Sequence, residues 1–180
     1  MNINNPQELL EFLSNIDFGY VDKEGNKHLG TSTPKSWYEE YTLQSPEQLK
    51  NSLCGNCYDQ VEFERDWFIK NSYEVKTFFE MVQLDYQNSY PSHSFLVYKD
   101  NNKWCWFENA DLINRGIHTF DTLEELLKYQ YNKYLELLDS FNISKDEIEK
   151  IIIREFDKPE SGISADAYLD YVINSKKVSI

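Results

Sequence analysis

The chain has 180 residues, of which 41% are apolar and 16% aromatic, with only 6 Gly and 5 Pro. That is a globular composition, long enough for one domain, and its 13 Tyr, 11 Phe and 4 Trp can build a sizeable core. Lys plus Arg is 18 against 31 for Asp plus Glu, a net charge of −13 that repels phosphate backbones and argues against direct nucleic-acid binding. The acidic residues are spread along the chain and mixed with Lys. They read as a solubilising surface, with mimicry of nucleic acid towards a basic partner as the sharper alternative. No apolar run reaches the roughly 20 residues needed to cross a bilayer. "MNINNPQELLEF" lacks the basic-then-apolar pattern of a secretory signal, so a soluble, cytoplasmic protein is expected. Three cysteines do not suggest a disulfide framework.

In chain order, "NPQE" marks a helix over 6–15, with Asn5 as cap, Pro6 in the first position and Glu8 three residues after the cap. "FGYVDKEGNKHLG" reads as a hairpin turning at Glu24-Gly25-Asn26. "SPEQ" starts a helix over 46–53, and "YDQVEFERDWFIK" carries one over 58–70. "YEVKTFFEMVQL" is a strand, and "HSFLVYKDNNKWCWFE" the clearest hairpin. "TLEE" starts a long helix over 123–140, with Leu123, Leu127, Tyr131, Tyr134, Leu138 and Phe141 as a core stripe. "SKDE", flanked by Ile143 and Ile148, predicts a helix over 145–156, and a last one is expected over 164–174. The pattern is α+β with an antiparallel sheet.

The hairpin brings chemistry together. With its turn centred on Asp100-Asn101, His93 and Glu108 fall directly opposite each other on one face, with Phe95, Val97, Trp104 and Trp106. A carboxylate there would take one ring nitrogen and leave the other as an acceptor. An ordinary polar pair at a sheet edge remains the plain alternative. "SLCGNCYDQ" supplies the candidate nucleophile. Cys57 stands at the head of a helix, where unpaired N–H groups and the dipole favour thiolate and can stabilise an oxyanion. Gly55, two residues earlier, would allow a tight turn and close substrate access. Cys54 lies before the helix. A redox pair would need both cysteines in a strand-to-helix setting, yet a helix precedes this motif. Zinc would need about four ligands, of which one CxxC supplies half. A buried, inert Cys57 is also open. His28 and His118 read as surface or packing residues.

Taken together, Cys57 at a helix head, His93 at the start of a strand and Glu108 at the end of the next resemble the core of the transglutaminase-like superfamily, within the papain-like cysteine enzymes. "GNCYD" is similar to that family's Gly-x-Cys-x-Asp, and "SHSFLVYKDNNKWCWFE" to its histidine strand, turn and Trp-rich strand ending in an acid. "SYEVKTFFEM" stands where the family has the strand after the cysteine helix. "LQSPEQL", "CYDQVEFER", "WFE" and "RGIH" resemble pieces of small bacterial and phage members, over most of residues 18–130. The acid here is Glu108, where the wider superfamily usually has Asp.

The resemblance implies an α+β, papain-like core with a cysteine helix packed on an antiparallel sheet. It implies a catalytic domain over 1–141 and a helical extension over 142–180 packed on it. It further implies Cys57 as nucleophile, His93 as general base and then acid, and Glu108 as the residue that orients His93. The chemistry would be acyl transfer on an amide through a thioester: peptide hydrolysis, deamidation or transamidation. A protein or peptide substrate is expected, and no cofactor. Gln44 and Gln48 are candidates for a second oxyanion donor, and Asp59 and Gln60 for support of the site. Trp104 and Trp106 are candidates to wall the cleft, with core packing the plainer role. A Cys54–Cys57 disulfide is a conceivable off-switch. The alternative is a catalytically silent member that binds or inhibits a protein. Specificity is expected from loops near 29–45 and 84–92 and from the chain after 141.

Overall fold

The structure, a computed structural model, describes residues 3–30, 37–82, 91–140 and 151–180. Helix α1 (Pro6–Leu13) starts on Asn5, whose side chain accepts from the Glu8 N–H. The early hairpin follows as β1 (Asp17–Val21) and β2 (Lys27–Leu29). A short α2 (Trp37–Glu40) precedes α3 (Pro46–Ser52), which closes a capping box between Ser45 and Gln48. α3 ends at Leu53 in the left-handed conformation, φ 50°, which turns the chain into the short β3 (Cys54–Gly55) beside β1. α4 (Cys57–Lys70) comes next, then β4 (Glu74–Val82), β5 (Ser92–Asp100), β6 (Lys103–Glu108) and β7 (Gly116–Phe120). α5 (Leu123–Asp139), β8 (Ile151–Phe156), α6 (Ala165–Ile173) and β9 (Lys176–Lys177) complete the described elements.

The main sheet has the order β7-β6-β5-β4-β8-β9 and is antiparallel throughout. α4 covers one face: Phe63 and Phe68 pack with Leu96, Tyr98, Cys105 and Phe107, together with α1 and α3. α5 covers the other, where Leu126 and Leu127 meet Phe78, Phe95, Val97 and Trp106. A third, aromatic cluster joins the head of α4 to α6 through Tyr41, Tyr58, Phe79, Tyr168 and Val172. The first part of α4 is thus enclosed, while its last turn reaches the surface at Ile69 and Lys70. Every residue from Cys57 to Arg65 is buried, including Asp59, Glu62 and Glu64.

Three sequence expectations need correction. The helix over 145–156 does not form as such: residues 145–150 lie outside the described residues, and 151–156 form β8. "IIIREF" is β-branched and aromatic, and it pairs along β4 from Val82↔Ile151 to Thr77↔Phe156. The chain after 142 therefore adds strands to the sheet as well as a helix. The long-helix stripe also shifts: Leu126 and Gln130 join Leu127, Tyr134 and Leu138 in the buried face of α5, and Phe141 lies outside the described residues.

The third concerns the hairpin. Its loop is Asn101-Asn102, with φ of 48° and 65°, and Asp100 pairs with Lys103. Two consecutive positive φ values are the signature of a type I′ turn, which Asn tolerates. The register is displaced by two residues from the one expected, so the same side chains still share a face. His93 and Glu108 are no longer directly opposed. Replacing Asn102 by Gly should raise stability by about 0.5–1 kcal/mol, read as a higher denaturation midpoint, because Gly adopts that φ without strain.

Candidate active site

The site forms where β5 and β6 part. Their ladder ends at Leu96↔Phe107. Beyond it β5 runs on to Ser92 against β4 alone, while Glu108 pairs with Gly116 of β7. By alternation His93 and Glu108 belong to the α5 face, whereas Cys57 arrives on α4 from the other. The parting lets them meet. His93 Nε2 lies 2.8 Å from Glu108 Oε2. A carboxylate can only accept, so Nε2 carries the proton and Nδ1 is left for sulfur. The Cys57 thiol lies close enough to the ring for the two to interact electrostatically. Glu108 Oε1 accepts from the Asp111 N–H at 2.8 Å, so both oxygens of the acid are fixed. Because the two residues are diagonal rather than opposed, their Cβ atoms are farther apart than those of a directly opposed pair, somewhat under about 7–8 Å. A glutamate spans that separation better than an aspartate.

Cys57 is the first residue of α4. Asn56 caps the helix, taking the N–H groups of Tyr58 at 2.9 Å and Asp59 at 3.3 Å. The Cys57 N–H precedes those donors and stays outside the cap. Negative charge on Sγ, or on a carbonyl oxygen drawn to that N–H, sits at the positive end of the helix. The segment is braced by Asp59, which is fully buried. Its Oδ1 accepts from Tyr41 Oη at 2.9 Å and from the Gln44 N–H at 2.8 Å, and its Oδ2 from the Asn56 N–H at 3.2 Å. Burial pushes the Asp59 carboxyl up to about 6, against the pull of those donors. Gln60 donates to Gly55 O at 3.0 Å and accepts from Asn109 Nδ2 at 2.7 Å, tying α4 to the turn after β6.

The other sequence candidates have defined places. Gln44 Nε2 donates to Cys54 O at 2.8 Å and its Oε1 accepts from Ser52 Oγ, so it braces the loop before Cys57. Gln48 reaches back to the Ser45 N–H as part of the α3 cap. Trp106 packs inside the α5-side core and stacks on His118 at 4.9 Å, and Trp104 packs against the same cluster beside Lys99. Gly55 sits where a side chain would collide with its neighbours. A Cβ there would meet Leu49 Cδ1 at 2.6 Å and Asp59 Cβ at 2.9 Å. Leu49 can shift, but Asp59 is pinned by three bonds. Gly55→Ala should lower stability by about 1–3 kcal/mol in urea denaturation.

The two cysteines of "CGNC" sit in different settings, Cys57 at the head of α4 and Cys54 before it. Cys54 is buried in β3 with its thiol against Tyr20 O at 3.8 Å, and burial pushes that thiol up. Both are free thiols, as is Cys105. Among the described residues no group of three or more His, Cys, Asp or Glu gathers as a metal site. His28 pairs with Asp22 and stacks on Tyr20, away from Cys57.

Sequence reasoning missed a set of buried acids around the site. Burial, reinforced by Glu108, pushes Glu64 well above the carboxylate range. Burial takes Glu62 up to about 7 and Glu80 up to about 8, partly offset by Arg65 and His93 respectively. For His93 burial opposes charge, yet Glu108 and Cys57 outweigh it and hold the ring well above the usual imidazole value. All these groups are raised on folding. Their stabilisation is complete below the unfolded values, about 4 for the acids and 6.5 for His, and is lost as pH rises through the folded ones. Asp22 and Glu155, held low, act oppositely in acid. The melting temperature should therefore be higher by several degrees near about pH 5.5 than near about pH 8.5, measured by calorimetry.

Comparison with protein-family models finds no match for this chain, and comparison with curated proteins finds none either. Among the described residues no helix is long and apolar enough to cross a membrane.

Proposed function

We propose that the protein is a cysteine-dependent acyl-transfer enzyme acting on an amide, with Cys57 as nucleophile, His93 as base and acid, and Glu108 as the residue that orients His93. The observation that carries this reading is the convergence of three side chains: the thiol at the head of α4, the imidazole near it, and the carboxylate 2.8 Å behind the ring. The order of the three along the chain and their local motifs resemble the transglutaminase-like superfamily, and we infer a papain-like core on that basis.

In this mechanism His93 Nδ1 takes the thiol proton as Sγ attacks the carbonyl carbon. The Cys57 N–H stabilises the oxyanion. His93 then gives its proton to the leaving nitrogen as the C–N bond breaks, which leaves a thioester on Cys57. Water or an amine resolves the thioester, with His93 again as base. Glu108 holds the ring in the Nε2–H tautomer and balances its charge. The turn after Glu108 presents two exposed apolar side chains, Leu112 and Ile113, at 67% and 88% exposure. We take a polypeptide to be the substrate.

Acylation by p-nitrophenyl acetate, followed by intact-protein mass, tests the reading. The result expected is a burst of p-nitrophenol and one acetyl group on Cys57, absent in Cys57→Ala and strongly slowed in His93→Ala. Acetylation at the same rate in wild type and in His93→Ala would defeat it. Cys57 is only 7% exposed, which favours a second reading, a silent fold that binds a protein partner. That reading predicts a partner retained by Cys57→Ala and no burst.

A further inference from the structure

Glu80 is the direct cross-strand neighbour of His93 in the β4–β5 ladder. The two side chains leave the sheet on the same face, with Cβ atoms about 4.5–5.5 Å apart. Glu80 is fully buried. Its Oε1 accepts from Gln130 Nε2 at 2.5 Å, and its Oε2 is buried with no hydrogen-bond partner among the described residues. Simple packing does not account for a carboxyl here, because an apolar side chain would fill the place without an idle polar atom.

The surroundings of Glu80 single out the ring. β5 contributes His93, β6 contributes Glu108, and the turn after it Asp111. α5 contributes Gln130, Tyr131 and Tyr134, and both tyrosines feel the Glu80 charge. β8 places the apolar Ile153 alongside. Burial, Glu108 and Asp111 keep the proton on Glu80, whereas the His93 imidazolium and the Gln130 amide draw it off. Burial thus favours the neutral Glu80 carboxyl, and an imidazolium at His93 favours its charged form.

We propose that Glu80 is a positioning residue for His93, a second carboxyl held by Gln130 that follows the charge of the ring and sets the pH range over which the Cys57–His93 pair is ready. It acts through His93 and does not touch the reacting atoms. The inference rests on the functional reading above, since it gives the ring a task, but its test reads the ring alone.

The chain has three histidines, so ring-nitrogen NMR can follow His93 through a pH titration. Glu80→Gln keeps an oxygen to accept from Gln130 and keeps the shape, but it cannot ionise. The His93 midpoint should fall in that variant by about 0.5–1 pH unit, because the imidazolium loses a carboxylate neighbour. Glu80→Asp, which keeps a carboxyl, should restore part of the difference. Gln130→Met removes the amide that draws the proton off Glu80, so it should also lower the midpoint. It serves should Glu80→Gln fail to fold. A His93 midpoint unchanged in Glu80→Gln, or in Gln130→Met where that variant stands in, overturns the inference. Failure of the acyl-transfer reading shows separately, as a wild-type Cys57 that is not acylated while the ring titration still responds to Glu80.

Discussion

Replacing Asp59 by Ala should lower the stability of the fold by about 3–5 kcal/mol, the largest loss expected from any single polar residue among the described ones. Asp59 is fully buried and accepts from three donors, the Tyr41 hydroxyl and the N–H groups of Gln44 and Asn56. Ala strands all three away from water, and each buried, unpaired donor costs about 1–3 kcal/mol. Asp59→Asn should cost less. Its oxygen can still accept from Tyr41 and Gln44, and only the Asn56 N–H then faces a donor. Urea denaturation of both variants gives the comparison, and equal losses would contradict this role. Asp59 also fixes Asn56 and hence the head of α4, so alkylation of Cys57 should slow in Asp59→Ala even where the protein remains folded.

Glu108→Asp should reduce Cys57-dependent acylation almost as much as Glu108→Ala, by about 10²-fold or more. The ladder ends at Leu96↔Phe107, so Glu108 meets His93 diagonally across parted strands. A carboxylate shortened by one methylene falls short of Nε2. The same shortening releases the Asp111 N–H that Glu108 Oε1 holds. Glu108→Gln separates geometry from charge. It reaches the ring, but it can present its N–H to Nε2 and so favour the wrong tautomer. Its loss should therefore be large with little effect on stability. A Glu108→Asp variant with wild-type burst kinetics would show that reach is not what a glutamate supplies here.

The helices with caps were legible because each cap is a local contract between two side chains and two N–H groups. Asn5, Ser45 and Thr122 close theirs as the sequence implies. β8 was not legible. "IIIREF" follows "SKDE", a capping-box pattern in the sequence, and its pairing with β4 decides for strand over helix. The hairpin shows what parity protects. A register error of two residues left His93 and Glu108 on one face, whereas an error of one would have separated them. The buried acids were invisible for a different reason. In "DQVEFERDW" the charges read as the solvated side of a helix, and it takes β4 and β5, the loops around Tyr41 and α6 to bury α4 from Cys57 to Arg65. Glu80 was hidden in a strand whose partner lies beyond residues 83–90 in the sequence. Its neighbour is fixed by the β4–β5 ladder, not by local pattern.

The central claim is that one cysteine of the three is activated by His93. Site-resolved alkylation with iodoacetamide, read by peptide mass spectrometry over a series of pH values, tests it most directly. The account predicts that Cys57 reacts at least about tenfold faster than Cys54 and Cys105 near neutral pH. It also predicts that His93→Ala removes that advantage and that Glu108→Ala removes most of it. A Cys57 that reacts no faster than its neighbours, or at a rate unchanged in His93→Ala, would contradict it.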